Sequence, residues 1–209
     1  MCWGWFNTAI GGAIGFTAAV FAEPLRQLIY RPRLRLEFGD GSEYRARTPE
    51  KSQVTYPDRI DMPVLSIHDA EYLRIKVTNT RRSMARNCRA YLVAIEKAED
   101  SGRFVSTVYS DALLLAWSCR EEDSFDPIDL PSRVPHYFNI LSTRGISNNY
   151  RLEIEKTPYR YLKLLSEIGT YRFTIMVSGE NVKPEGIRII FHWNGVWDKY
   201  VAEENGNRV

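Results

Sequence analysis

Charge is missing from the first 22 residues of this 209-residue chain, and recognisable signatures of chemistry are missing from the rest. Cys2, Cys88 and Cys119 are the only cysteines, too few and too dispersed for a disulfide framework, and no Asn-x-Ser/Thr acceptor occurs. A reducing compartment fits this better than an oxidising one. His68, His136 and His192 lie far apart, with no His-x-x-x-His or Cys-x-x-Cys spacing to suggest zinc. No nucleophile signature surrounds Cys88 or Cys119. The acidic run holding Glu121, Glu122, Asp123, Asp126 and Asp129 lacks the alternating Asp spacing and glycine of a calcium loop, so it reads as a solvated connection. Gly39, Asp40 and Gly41 read as a turn, not a phosphate-binding loop. These absences assign no catalytic residue, metal or cofactor, and the chain is not expected to be an enzyme. With 28 basic against 26 acidic side chains, the net charge of +2 excludes the global field of a dedicated nucleic-acid binder.

What is present begins with the uncharged segment. As a helix, Trp3–Ala22 would be ~30 Å long, the thickness of a bilayer's hydrocarbon core. Its strongly apolar side chains, Phe6, Ile10, Ile14, Phe16, Val20 and Phe21, favour insertion by only about 2 to 4 kcal/mol. The span is therefore marginal, and its composition suits helix packing. Gly11, Gly15 and Ala19 recur every four residues on one helical face, where two backbones can approach closely in lipid. This stripe is the expected transmembrane packing surface and the route to a homo-oligomer.

Arg26, Arg31, Arg33 and Arg35 all follow the span and no basic side chain precedes it, so the positive-inside bias leaves the C-terminal side in the cytoplasm. These arginines are assigned to topology and to lipid headgroups at the inner, or plasma, membrane, with the N-terminus outside. Two readings compete. Val20-Phe21-Ala22 has the small-residue ending of a signal peptide, but the basic residues lie after the cut and not before the apolar stretch. A buried core helix is the other. Lipidation at Cys2 excludes the outside-N orientation, because acylating enzymes act in the cytosol.

Residues 1–32 thus read as a transmembrane and juxtamembrane helix, 33–205 as a cytosolic β-domain and 206–209 as a tail. Leu34, Leu36 and Phe38 alternate with charged residues, the pattern of a half-buried strand. Short alternating runs continue through EYLRIKVTN, NCRAYLVAIEK, ALLLAWS, HYFNIL, YRLEIE, YRFTIMVS and GIRIIFHW, implying an antiparallel, mainly β fold, either a two-sheet sandwich or a small barrel. One helix is expected in TPYRYLKLLSEIG, with Thr157 as cap and Gly169 at its end. Asn194-Gly195 predicts a tight type I′ hairpin between IIFHW and VWDKYV. Trp193 and Trp197 would then pack on one side of it. The loop RRSMAR, with the residues after it, gathers Arg81, Arg82, Arg86 and Arg89 as a candidate partner surface for phosphate, acidic lipid or an acidic protein. Aromatics for base stacking are missing there, which disfavours nucleic acid.

The strand ending Val77-x-Asn79, the entry Ala85-x-x-Cys88 and the late Gly169-x-Tyr171-x-Phe173 strand resemble bacterial immunoglobulin-like sandwiches over about 110 residues. Single-span bacterial membrane proteins carrying such a domain are similar in layout. Antibody-type domains differ, since no Cys…Trp…Cys arrangement with an inter-sheet disulfide is visible. The resemblance implies a protein-interaction or sensory module with a protein partner it cannot name. Two alternatives stand beside it: a membrane effector of a stress or phage-defence system whose β-domain receives a signal, and a secreted or periplasmic binding domain left by signal cleavage.

Overall fold

The computed structural model describes residues 30–54, 64–107, 112–118, 125–147, 149–156 and 166–206. The uncharged segment with Gly11, Gly15, Ala19 and Arg26 lies outside them, as do Cys2, Cys119, Glu121–Asp123 and residues 157–165 of the expected helix. Among the described residues no helix is long and apolar enough to cross a membrane.

The described chain is mainly β and every strand pair is antiparallel. In chain order the strands are β1 (Leu34–Glu37), β2 (Arg45–Val54), β3 (Val64–Asn79), β4 (Ala85–Ala98), β5 (Phe104–Ser106), β6 (Leu113–Leu114), β7 (Ile128–Leu130), β8 (Pro135–Arg144), β9 (Tyr150–Leu152), β10 (Gly169–Ser178), β11 (Glu185–Trp193) and β12 (Val201–Glu204).

Two sheets face each other. The first has the order β1-β3-β8-β9, with β2 continuing the line of β1 along the same edge of β3. The second runs β12-β11-β10-β4, and β7, β6 and β5 tile the outer edge of β4 end to end. Residues 113–118 join the two layers: Leu113 and Leu114 pair with β4, Leu115 bridges Ile154, and Trp117 bridges Phe138 on β8. This corner segment makes the fold a sandwich sealed along one side. Across the layers β1 lies against β11.

Alternation dictates what is buried. In β10, Tyr171, Phe173, Ile175 and Val177 are fully buried while the residues between them are half-buried. In β3, Leu73, Ile75 and Val77 face the same core. Tyr150 closes the space between the sheets, edge-on to Phe191 at 5.1 Å and to Trp193 at 5.6 Å between ring centroids. Truncating any one of these aromatics to alanine would cost about 3 to 5 kcal/mol.

The Asn194-Gly195 turn differs from expectation. His192 and Val201 form the last pair between β11 and β12, so an eight-residue excursion replaces a two-residue turn. Only Gly195 has a positive φ, of 82°, whereas a type I′ turn requires one at Asn194 as well. Asn194 instead turns its side chain inward on the loop: Oδ1 accepts from the Val196 N–H at 2.9 Å and Nδ2 donates to the Lys199 carbonyl at 2.8 Å. Burial of both Trp193 and Tyr200 demands that wider loop. Trp193 belongs to the core, while Trp197 is half-exposed beneath the Arg47 guanidinium, 4.9 Å from its ring centroid, so the two do not share a side.

Candidate functional site

The sequence leaves the arginines as the only concentrated chemistry, and strand pairing decides which of them meet. Pairing of Leu34 with Asn79 brings the start of the β-domain to the β3–β4 turn. There the Thr80 N–H and Oγ1 both donate to the Arg33 carbonyl, at 2.8 and 3.0 Å, and Ser83 Oγ donates to the Tyr30 carbonyl. Pairing of Ala85 with Leu130, and a bridge between Asn79 and Ser132, bring the β7–β8 connection to the same end.

Asn79 holds these loops together. It is fully buried, and its side-chain amide donates to the Ser83 carbonyl at 2.6 Å and to the Leu130 carbonyl at 3.1 Å. Its Oδ1 accepts from the Arg81 N–H at 3.1 Å, and its backbone carbonyl accepts from the Arg133 N–H at 2.7 Å. Arg133 sits at φ 61°, a left-handed conformation that costs a side-chain-bearing residue about 1 to 2 kcal/mol and persists only where its surroundings fix it.

Tyr30, Thr80, Arg81, Arg82, Ser83 and Arg133 enclose a hollow of about 250 Å³. Arg31, Arg33, Arg81, Arg82 and Arg133 are exposed, and none forms an ion pair among the described residues. Arg35 differs, because Glu37 pairs with it at 2.9 Å. Arg86 and Arg89 lie on β4, beside the β10–β11 turn: the Arg86 N–H donates to Asn181 Oδ1 at 2.9 Å, and Arg89 is opposite Ser178. The nearby carboxylates are turned to a bulge at Asn87, where Asp129 accepts the Asn87 N–H at 3.0 Å and Glu180 accepts its side-chain amide at 2.5 Å. The structure thus joins Arg31 and Arg33 to Arg81 and Arg82, and adds Arg133, which sequence reasoning missed. The signal for Arg133 was the turn-forming stretch Pro131-Ser-Arg-Val-Pro135.

A second hollow, of about 470 Å³, opens between β7 and β8 beside Trp117 and Ser118, with Asp129, His136 and Tyr137 in its wall. Ser, His and Asp together invite comparison with a hydrolase triad, but their hydrogen bonds run elsewhere. Ser118 Oγ donates to Asn139 at 2.6 Å and Asp129 serves Asn87. Burial holds the His136 imidazole below its ordinary range, favouring the neutral form. His68 and His192 stand apart from it, near Glu50 and Glu203 respectively. Among the described residues no three His, Cys, Asp or Glu side chains gather as a metal site. Cys88 is buried, and desolvation, helped by Asp129, pushes its thiol up to about 11, the opposite of an activated nucleophile.

No protein-family model, curated protein or solved structure matches this chain.

Proposed function

We propose that this chain is a single-pass membrane protein, N-terminus outside, that presents its β-sandwich to the cytosol as a protein-interaction or sensory module of the immunoglobulin-like kind. The observation that carries the reading is where the chain enters the fold. Tyr30–Arg33, separated by seven residues from the end of the uncharged segment, lies at the end of the sandwich that also carries Arg81, Arg82 and Arg133. Unpaired basic side chains beside a span are what the cytosolic face of a membrane retains. With β1 starting at Leu34, the sandwich stands close to the bilayer, and its opposite end, with Ile146, Ile168 and Val196 exposed, faces away and is available to a partner.

Protease added to spheroplasts and to inverted membrane vesicles tests the orientation. Digestion of the β-domain only in inverted vesicles is the expected result, and digestion from outside overturns it. Intact mass decides the competing reading: loss of residues 1–22 would make this a secreted or periplasmic domain.

A further inference from the structure

We infer that the hollow between the β3–β4 turn and the β7–β8 connection is a phosphate-binding site for anionic phospholipid headgroups, which docks the sandwich onto the bilayer that anchors it. This rests on the single-span reading above and adds to it a defined contact between domain and lipid.

Three observations converge. The cavity, of about 250 Å³, is lined by three arginines, Arg81, Arg82 and Arg133, and among the described residues no carboxylate lines its wall. A guanidinium presents paired N–H donors in a fixed fork that matches phosphate oxygens, and the Thr80 and Ser83 hydroxyls share the same lining. Each segment that builds the hollow also exposes an apolar or aromatic side chain: Tyr30 in the lining is 60% exposed, and Met84 and Val134, next in sequence to the lining residues Ser83 and Arg133, are 47% and 44% exposed. Tyr30 is the residue at which the described chain begins, so 29 residues including the proposed span connect directly to this lining. Exposed aromatic and apolar side chains beside unpaired arginines are the composition of a headgroup-level contact.

The site is also preorganised. Asn79 ties both loops through its side-chain amide, and the left-handed backbone of Arg133 is held by the Asn79 carbonyl, so binding need not order the loops first. The acidic neighbours Asp129 and Glu180 are committed to Asn87 and do not neutralise the pocket. Each arginine near an anionic surface strengthens association about fivefold, so three give on the order of a hundredfold.

The test uses the full chain in lipid nanodiscs of phosphatidylcholine alone or with about one-third phosphatidylglycerol, read by amide hydrogen exchange. The expected result is at least about tenfold slower exchange at residues 80–84 and 132–134 in the anionic discs only. Replacing Arg81, Arg82 and Arg133 with Gln should abolish the difference while exchange in β10 stays unchanged. Equal exchange in both discs overturns the inference, whether the loops are open or covered by the chain's own N-terminal segment. Protection by inorganic phosphate in phosphatidylcholine discs, without an effect of phosphatidylglycerol, assigns the pocket to a soluble phosphate and also overturns it. A chain that fails to enter discs overturns the single-span reading itself, a failure visible before any exchange is measured.

Discussion

The side-chain amide of Asn79 donates to the carbonyl of Leu130, 51 residues away, at 3.1 Å in a fully buried position. Through this bond and its partner to Ser83, one residue at the end of β3 sets the spacing of both loops that carry the arginines. Asn79→Ala would leave the Leu130 carbonyl and the Arg81 N–H without this partner, at a cost of about 2 to 3 kcal/mol. Thermal denaturation of the detergent-solubilised chain should show a midpoint lower by roughly 5 to 10 °C. Asn79→Asp keeps an acceptor for the Arg81 N–H but should do no better, because an ionised carboxylate can make neither donation, to Ser83 or to Leu130, and sets a buried charge against both carbonyls. An Asp variant as stable as the wild type would show that these donations do not hold the loops.

Gly179 allows the β10–β11 turn to approach β4. A Cβ there would lie 2.6 Å from the Arg86 carbonyl oxygen and 2.9 Å from Cys88 Sγ, and backbone cannot swing aside. Gly179→Ala should therefore cost about 2 to 3 kcal/mol. Gly102→Ala, with φ 78° but nothing within 4 Å of its Cβ, should cost only about 1 kcal/mol. Cys88 reports the difference: its thiol, raised to about 11 by burial, should resist iodoacetamide at pH 8 in the wild type and become alkylated in Gly179→Ala, as read by peptide mass spectrometry. Rapid alkylation of folded wild type would contradict the burial.

The strands that sequence alone locates are those whose two faces differ. β3, β10 and β11 alternate because one face meets the shared core, and β1 shows the same pattern in Leu34 and Leu36, whereas β8 is buried without a break from Ile140 to Thr143. β2 escapes notice because RARTPEKSQV has no alternation and contains Pro49. Among the described residues β2 pairs only with β3, and an edge strand tolerates both, since one side of its backbone needs no ladder partner. β5 and β7 are too short for a period to register, and β6 is the part of the ALLLAWS run that pairs with β4. The Asn194 turn was misread because side-chain capping within the loop and burial of Tyr200 override a dipeptide preference. At the basic end, Arg81 and Arg82 are legible as a local cluster, whereas Arg133 joins them through long-range pairing, of β4 with β7 and of Asn79 with Ser132.

Arg172 and Glu96 face each other across β10 and β4, joined by two hydrogen bonds of 2.6 and 2.7 Å, with the guanidinium 4.4 Å from the centroid of the Phe104 ring. The bond to Arg172 holds the Glu96 carboxyl below its ordinary value. A depressed folded value stabilises the fold above the unfolded value and loses that contribution as pH falls through the folded one. Glu96→Gln should thus be less stable than wild type by about 1 kcal/mol at pH 7, with the gap closing as pH drops below about 4. Urea midpoints from about pH 2.5 to about pH 7 would measure it. A gap independent of pH would mean that packing on Phe104, not charge, is what the pair contributes.

Tyr200 and Glu71 clasp the two sheets together, since Tyr200 precedes β12 in the second and Glu71 lies in β3 of the first. The phenol donates to Glu71 Oε1 at 2.6 Å in a buried setting, and Arg47 donates to Oε2 at 3.0 Å. Burial, together with that bond, raises the Tyr200 hydroxyl far above its ordinary range, so it remains a donor at every working pH. Tyr200→Phe keeps the ring under the Arg45 guanidinium, 5.2 Å from its centroid, and removes only the hydroxyl. The expected cost is about 1.5 to 3 kcal/mol, because the remaining Glu71 oxygen is left buried and charged. Glu71→Ala removes the acceptor, so combining it with Tyr200→Phe should cost less than the sum of the single changes, by about 1 kcal/mol. Strict additivity in that double-mutant cycle would show that the two sheets are held by their apolar core alone and that the Tyr200–Glu71 bond contributes nothing to closing the sandwich.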